Sequence, residues 1–146
     1  MKVALGADHK GYELKEEIEK YLVALGHQIT DFGTSSTESV DYPDFGFKVA
    51  ESVARKEVDF GIAICWTGNG INIVANKVKG VRSALCLNPE MAGFARSHND
   101  ANVLALSSKY VSSDLAIKIV DVWLSTKFEG GRHANRLEKI KKHELK

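Results

Sequence analysis

The segment Phe60–Cys65 (FGIAIC) constrains this chain more than any other. It is a nearly continuous apolar run, closed by Asp59 on one side and a glycine-rich turn on the other. Six such residues are too short for a helix, and with no polar alternation they suit a strand covered on both faces, as in a parallel sheet. Four more runs read the same way: Lys2–Leu5, Gln28–Phe32, Val81–Leu87 and Asn102–Leu106. Helical spacing fills the gaps. In Gly11–Leu25 the apolar positions are Leu14, Ile18, Tyr21, Leu22 and Leu25, with charged residues opposite and Gly26 as a stop. Phe45, Val49 and Val53 mark a second helix begun near Pro43, and Ile71, Ile73, Val74 and Ala75 follow the glycine turn. Pro89–Ser97 opens with a proline suited to a first helical position. Leu115, Ile119, Val120, Trp123 and Leu124 define a helix with Ser113 as its expected cap, and a basic helix runs from Arg132 to about Lys142.

Strands alternating with helices through short connections predict an α/β fold. The expected form is a Rossmann-like three-layer α/β/α sandwich on a five-stranded, mainly parallel sheet. At 146 residues, 44% hydrophobic and 27% charged, the chain has the size and composition of one ordinary domain. Twenty Lys+Arg against nineteen Asp+Glu leave a formal charge of +1, so no bulk field draws nucleic acid or an anionic membrane. Cys65 and Cys86 lack a metal-ligand spacing, and no apolar stretch has the length of a membrane span. A cytoplasmic setting is expected.

Ligands of such sheets bind beyond the carboxyl ends of the strands. Asp8 and His9 follow the first run, as either a helix cap and a solvated turn residue or a hydroxyl acceptor and an anion partner. Cys65 ends its strand against Trp66-Thr67-Gly68-Asn69-Gly70 and a helix start, a setting expected to lower its thiol pKa. Amides in that turn suit an oxyanion. The turn lacks the third glycine of a dinucleotide fingerprint and the Gly-Lys-Ser/Thr of a P-loop. Cys86, inside its strand, reads as an inert small hydrophobe. His98, before Asn99, is either a favourable helix C-terminal cation or an acid–base group. Arg132 and Arg136 share a helical face beside Gly130-Gly131, as a solvated basic tail or a phosphate clamp.

Six blocks in order resemble the type B ribose-5-phosphate isomerase and galactose-6-phosphate isomerase family. They are ADHKGYELK (Ala7–Lys15), SVDYPDF (Ser39–Phe45), DFGIAIC (Asp59–Cys65), TGNGINIVANK (Thr67–Lys77), ARSHNDANVLAL (Ala95–Leu106) and FEGGRH (Phe128–His133). The resemblance implies one sugar-phosphate isomerase domain over residues 1–146, with Cys65 as the base between C1 and C2. It implies ring opening by Thr67 and His98, and enediolate stabilisation by the amides of Gly68, Asn69 and Gly70. Asp8 and Asn99 would bind sugar hydroxyls, and His9, Arg132 and Arg136 the phosphate. It implies no metal or organic cofactor, and a homodimer, or a tetramer, with sites shared between subunits. Two positions depart from the family pattern. Trp66 stands where glycine is usual, strained if the turn needs positive φ, with its indole expected in the pocket or across its mouth. Lys109 stands where arginine is frequent. Both bear on which sugar phosphate is preferred. Ribose 5-phosphate and ribulose 5-phosphate are the leading pair; the alternatives are a hexose 6-phosphate, or a non-catalytic paralogue altered by Trp66.

Overall fold

The computed structural model describes residues 1–146. Its strands are β1 (Lys2–Ala7), β2 (Gln28–Asp31), β3 (Phe60–Cys65), β4 (Ser83–Leu85) and β5 (Val103–Ser107). Its helices are α1 (Tyr12–Ala24), α2 (Tyr42–Ala54), α3 (Asn69–Asn76), α4 (Pro89–Ser97), α5 (Ser113–Ser125) and α6 (Arg132–Glu144). The sheet order is β2-β1-β3-β5-β4, and every pairing is parallel, so the expected sandwich is present with no antiparallel strand.

The near-continuous apolar runs are explained by two cores. Alternate residues of the central strands point to opposite faces. Val3, Leu5, Ile62, Ile64, Leu104 and Leu106 pack with α1, α4 and α5 around the buried Trp123. Ala4, Ala63, Cys65, Val103 and Ala105 pack with Val49 and Val53 of α2 and Ile71 of α3. The small side chains on the second face let α2 and α3 lie close.

Several boundaries differ from the sequence reading, most by a residue or two at a strand end; two have a clear physical cause. The α5 cap is Ser112, whose Oγ accepts the Leu115 N–H at 3.2 Å, so Ser113 is the first helical residue. β4 is cut to Ser83–Leu85 because it is an edge strand, and the polar residues before it are committed elsewhere. The Ser83 N–H donates to Asn76 Oδ1 at 2.8 Å and the Arg82 N–H to Asn102 Oδ1 at 2.8 Å. Cys86 therefore lies one residue beyond the strand, still buried, its thiol pushed up to about 12 by burial.

Gly11 fixes how α1 leaves β1. A Cβ there would stand 2.7 Å from Ile64 Cγ2 and 2.8 Å from the Ile64 carbonyl oxygen, against the backbone that leads into Cys65. Gly11→Ala is expected to lower stability by about 1–3 kcal/mol through overpacking. Urea unfolding checks this; an unchanged midpoint would contradict it.

Candidate active site

The first crossover runs from β1 out to β2, and the chain then returns past β1 to lay down β3. The helices after β1 and β3 consequently depart to opposite faces, the switch point at which sheets of this kind leave a crevice between neighbouring strand ends. Asp8 and Cys65 stand at that point.

Asp8 is buried, and its Oδ1 accepts the N–H groups of Lys10 and Gly11, each at 3.0 Å. It thus orders the turn into α1 while Oδ2 is left for a hydroxyl. His9 Nδ1 accepts the Val40 N–H at 3.1 Å. In the neutral ring the proton then sits on Nε2, which becomes the outward donor.

Cys65 is 4% exposed. The backbone amides of Ile71, Gly68 and Thr67 lie near its sulfur and favour the thiolate. Burial outweighs them, with the Asp8 carboxylate adding to it, and the thiol lies above its ordinary range. The expected lowering is corrected: a turn rich in donors does not offset removal of the sulfur from water. Gly68 caps α3 at φ +81°, and a Cβ there would meet Leu85 Cδ1 at 2.5 Å and the Leu106 backbone at 3.1 Å. Thr67 Oγ1 accepts the Asn69 N–H at 3.3 Å. Gly70 lies in the first turn of α3, where helix geometry leaves an amide without an intrahelical acceptor.

Trp66 departs from both expectations. Positive φ among non-glycine residues is confined to Lys56 and Asp100, so the Trp66 backbone is unstrained. Strand alternation turns its indole away from the α2–α3 face that holds Cys65. The ring is 44% exposed between the ammonium groups of Lys10 and Lys109, at 5.1 and 5.6 Å from its centroid. It lines a separate cavity of about 470 Å³ with Lys10, Glu13, Leu14 and Ser112. It neither fills the crevice nor covers the thiol.

The remaining residues gather at the opposite edge of the sheet. α4 runs back from the end of β4, and His98 caps its C-terminus where β5 begins. The Arg82 guanidinium, just before β4, donates to the carbonyl oxygens of Asn99 and Asp100 at 2.8–3.2 Å. The Glu129 N–H donates to the Ser97 carbonyl at 3.0 Å, which brings the start of α6 with Arg132 and Arg136 to the same edge. Five strand residues separate the edges, roughly 17 Å. One chain therefore brings Asp8, His9, Cys65, Thr67 and Gly68–Gly70 together and holds His98, Asn99, Arg132 and Arg136 apart from them. Cys65 lines none of the five principal cavities of the single chain.

Two residues lay outside the sequence assignment. His133 is buried and stacks on His98 with ring centroids 4.3 Å apart. Tyr42 packs on the α3 turn so closely that a Cβ at Gly70 would come 2.6 Å from its Cζ. Tyr42 sits inside the SVDYPDF block, which was signal enough to single it out.

The family model for ribose/galactose isomerases matches residues 3–140. The chain is similar to ribose-5-phosphate isomerase B of Escherichia coli, 50% identical over 139 residues covering 95% of this chain and 93% of that protein. It is 46% identical to a putative sugar phosphate isomerase of Bacillus subtilis, covering 100% of this chain and 99% of that one. Its fold matches ribose-5-phosphate isomerase B of Clostridium thermocellum with a TM-score of 0.98 and 56% identity, covering 99% of this chain and 98% of the other. A Mycoplasma genitalium ribose-5-phosphate isomerase B with bound ribulose-5-phosphate matches with a TM-score of 0.95 and 43% identity, covering 99% and 97%. Matches of this extent, on a crevice bordered by a thiol and a carboxylate, place the chain in the ribose/galactose isomerase family.

Proposed function

We propose that the whole chain is one cofactor-independent aldose–ketose isomerase domain that interconverts ribose 5-phosphate and ribulose 5-phosphate. The observation that carries the reading is the Cys65 sulfur, set at the start of α3 beside Asp8 where the sheet's winding reverses, with backbone amides that favour its thiolate. The thiolate takes the proton from C2 of the open-chain aldose. The C–H electrons form the C1–C2 double bond, and the charge passes to the carbonyl oxygen at C1. The amide of Gly70 stabilises that enediolate. The C2 hydroxyl proton passes to the oxygen at C1, the thiol returns its proton to C1 and is left as thiolate, and the ketose results.

Asp8 Oδ2 accepts a sugar hydroxyl and His9 Nε2 donates to the phosphate. His98 with Thr67 opens the furanose ring, Asn99 binds a hydroxyl, and Arg132 and Arg136 grip the phosphate. The strand's length between the two sets supports a homodimer in which the partner subunit's His98, Asn99, Arg132 and Arg136 complete the crevice. α6 suits that role, since Ile140 is 50% exposed on this mainly basic helix and Leu145, its C-cap, 63%. Free thiols at both cysteines support a reducing, cytoplasmic setting, and no helix is long and apolar enough to cross a membrane.

A coupled assay with ribose 5-phosphate and hexose 6-phosphates, run with EDTA, is expected to show turnover on the pentose that survives chelation. Cys65→Ala is expected to lower kcat about 10²–10⁴-fold while leaving calorimetric binding of ribose 5-phosphate nearly intact. A near-wild-type rate in that variant would refute the assignment of the base. Because burial raises the thiol pKa, alkylation of Cys65 by iodoacetamide is expected to climb about tenfold per pH unit through the neutral and mildly alkaline range. Peptide mapping follows the rate. A plateau already reached at neutral pH would mean the amides prevail over burial.

A further inference from the structure

His98, Glu129 and His133 come from the end of α4, the connection into α6 and the first turn of α6. Their ligand atoms all lie within 4.8 Å of one another, and His133 Nε2 is 3.5 Å from Glu129 Oε2. The imidazoles stack with planes 12° apart, and Phe94 packs on His98 with centroids 4.9 Å apart. Main-chain bonds order the trio. The Glu129 N–H donates to the Ser97 carbonyl at 3.0 Å, and the His133 N–H to the Gly130 carbonyl at 3.1 Å.

Two imidazoles and one carboxylate are a donor set that Zn²⁺ accepts in tetrahedral coordination, with a fourth position left for water. Ligand bonds of roughly 2.0–2.2 Å require the donors to close in. The Glu129 side chain, 60% exposed, is free to swing inward, and His98 turns by a change of side-chain rotamer. Arg132 and Arg136 face the same cluster and oppose a dication, which keeps the affinity modest.

We infer that His98, Glu129 and His133 form an inhibitory Zn²⁺ site, which captures the ion and withdraws His98 from ring opening. Metal capture stands on the cluster alone; only its effect on turnover rests on the proposed function. The ion has no part in the isomerisation.

The test titrates Zn²⁺ into EDTA-stripped, full-length protein against a chromophoric chelator, with the visible absorption of Co²⁺ as a coordination readout. Wild type is expected to bind one Zn²⁺ per chain in the micromolar range and to lose turnover as it does so, with EDTA restoring it. Glu129→Gln is expected to weaken binding about tenfold or more while metal-free turnover stays at the wild-type level. Cys65→Ala is expected to bind Zn²⁺ as wild type does. Absence of saturable binding, binding indifferent to Glu129→Gln, or binding lost in Cys65→Ala would each overturn the inference. Zinc binding with the expected variant pattern in a protein that turns over no sugar phosphate would uphold the metal site and refute the functional reading.

Discussion

The reversal of winding between β1 and β3 governs everything else in this molecule. Two parallel strands lie side by side, and their following helices leave to opposite faces. The space between the strand ends therefore cannot be closed by either helix. Asp8 and Cys65 occupy that edge; backbone amides bond the Asp8 carboxylate and favour the Cys65 thiolate. Amides fixed by the fold need no reorganisation when charge develops, and the proposed cofactor-free proton transfer draws on that.

The sulfur is under opposed pressures. Packing against α2 and α3 removes it from water and disfavours charge, whereas the turn's donors favour it. A base held above its ordinary pKa is scarce as thiolate at neutral pH, but each thiolate is a stronger base. Arginines and an imidazole delivered by a second subunit would shift this balance toward the charged form. In the proposed dimer, assembly both completes the substrate's cradle and tunes the group that does the chemistry.

The sheet was legible because its strands are apolar on both faces, and Phe60–Cys65 could be nothing else. Asp8, His9 and the Cys65–Gly70 turn were legible as residues just beyond strand ends, whereas His98, Asn99, Arg132 and Arg136 were singled out by residue type and the six matching blocks and lie at the opposite edge. Direction and distance were not. Trp66 follows Cys65 by one position, so alternation alone assigns it to the other face, but its destination between Lys10 and Lys109 depends on α1 and α5. The sign of the Cys65 shift depended on how closely α2 and α3 pack over the sulfur, which residue types alone do not tell. His133 meets His98 across 35 positions through the path of the α5–α6 connection, which no local pattern encodes. The cap moved from Ser113 to Ser112 because both carry the same hydroxyl and the helix's entry angle selects one.

The central claim is that one active site draws on two chains, with Cys65 on one and the guanidinium groups on the other. Subunit complementation tests it most directly. Cys65→Ala and Arg136→Ala proteins, each inactive alone, are unfolded together, refolded as a 1:1 mixture and assayed on ribose 5-phosphate. Mixed dimers contain one intact site and one doubly altered site, so about a quarter of wild-type activity is expected to return. Mixed dimers that form, as shown by differently tagged subunits, yet stay inactive would contradict a site divided between subunits.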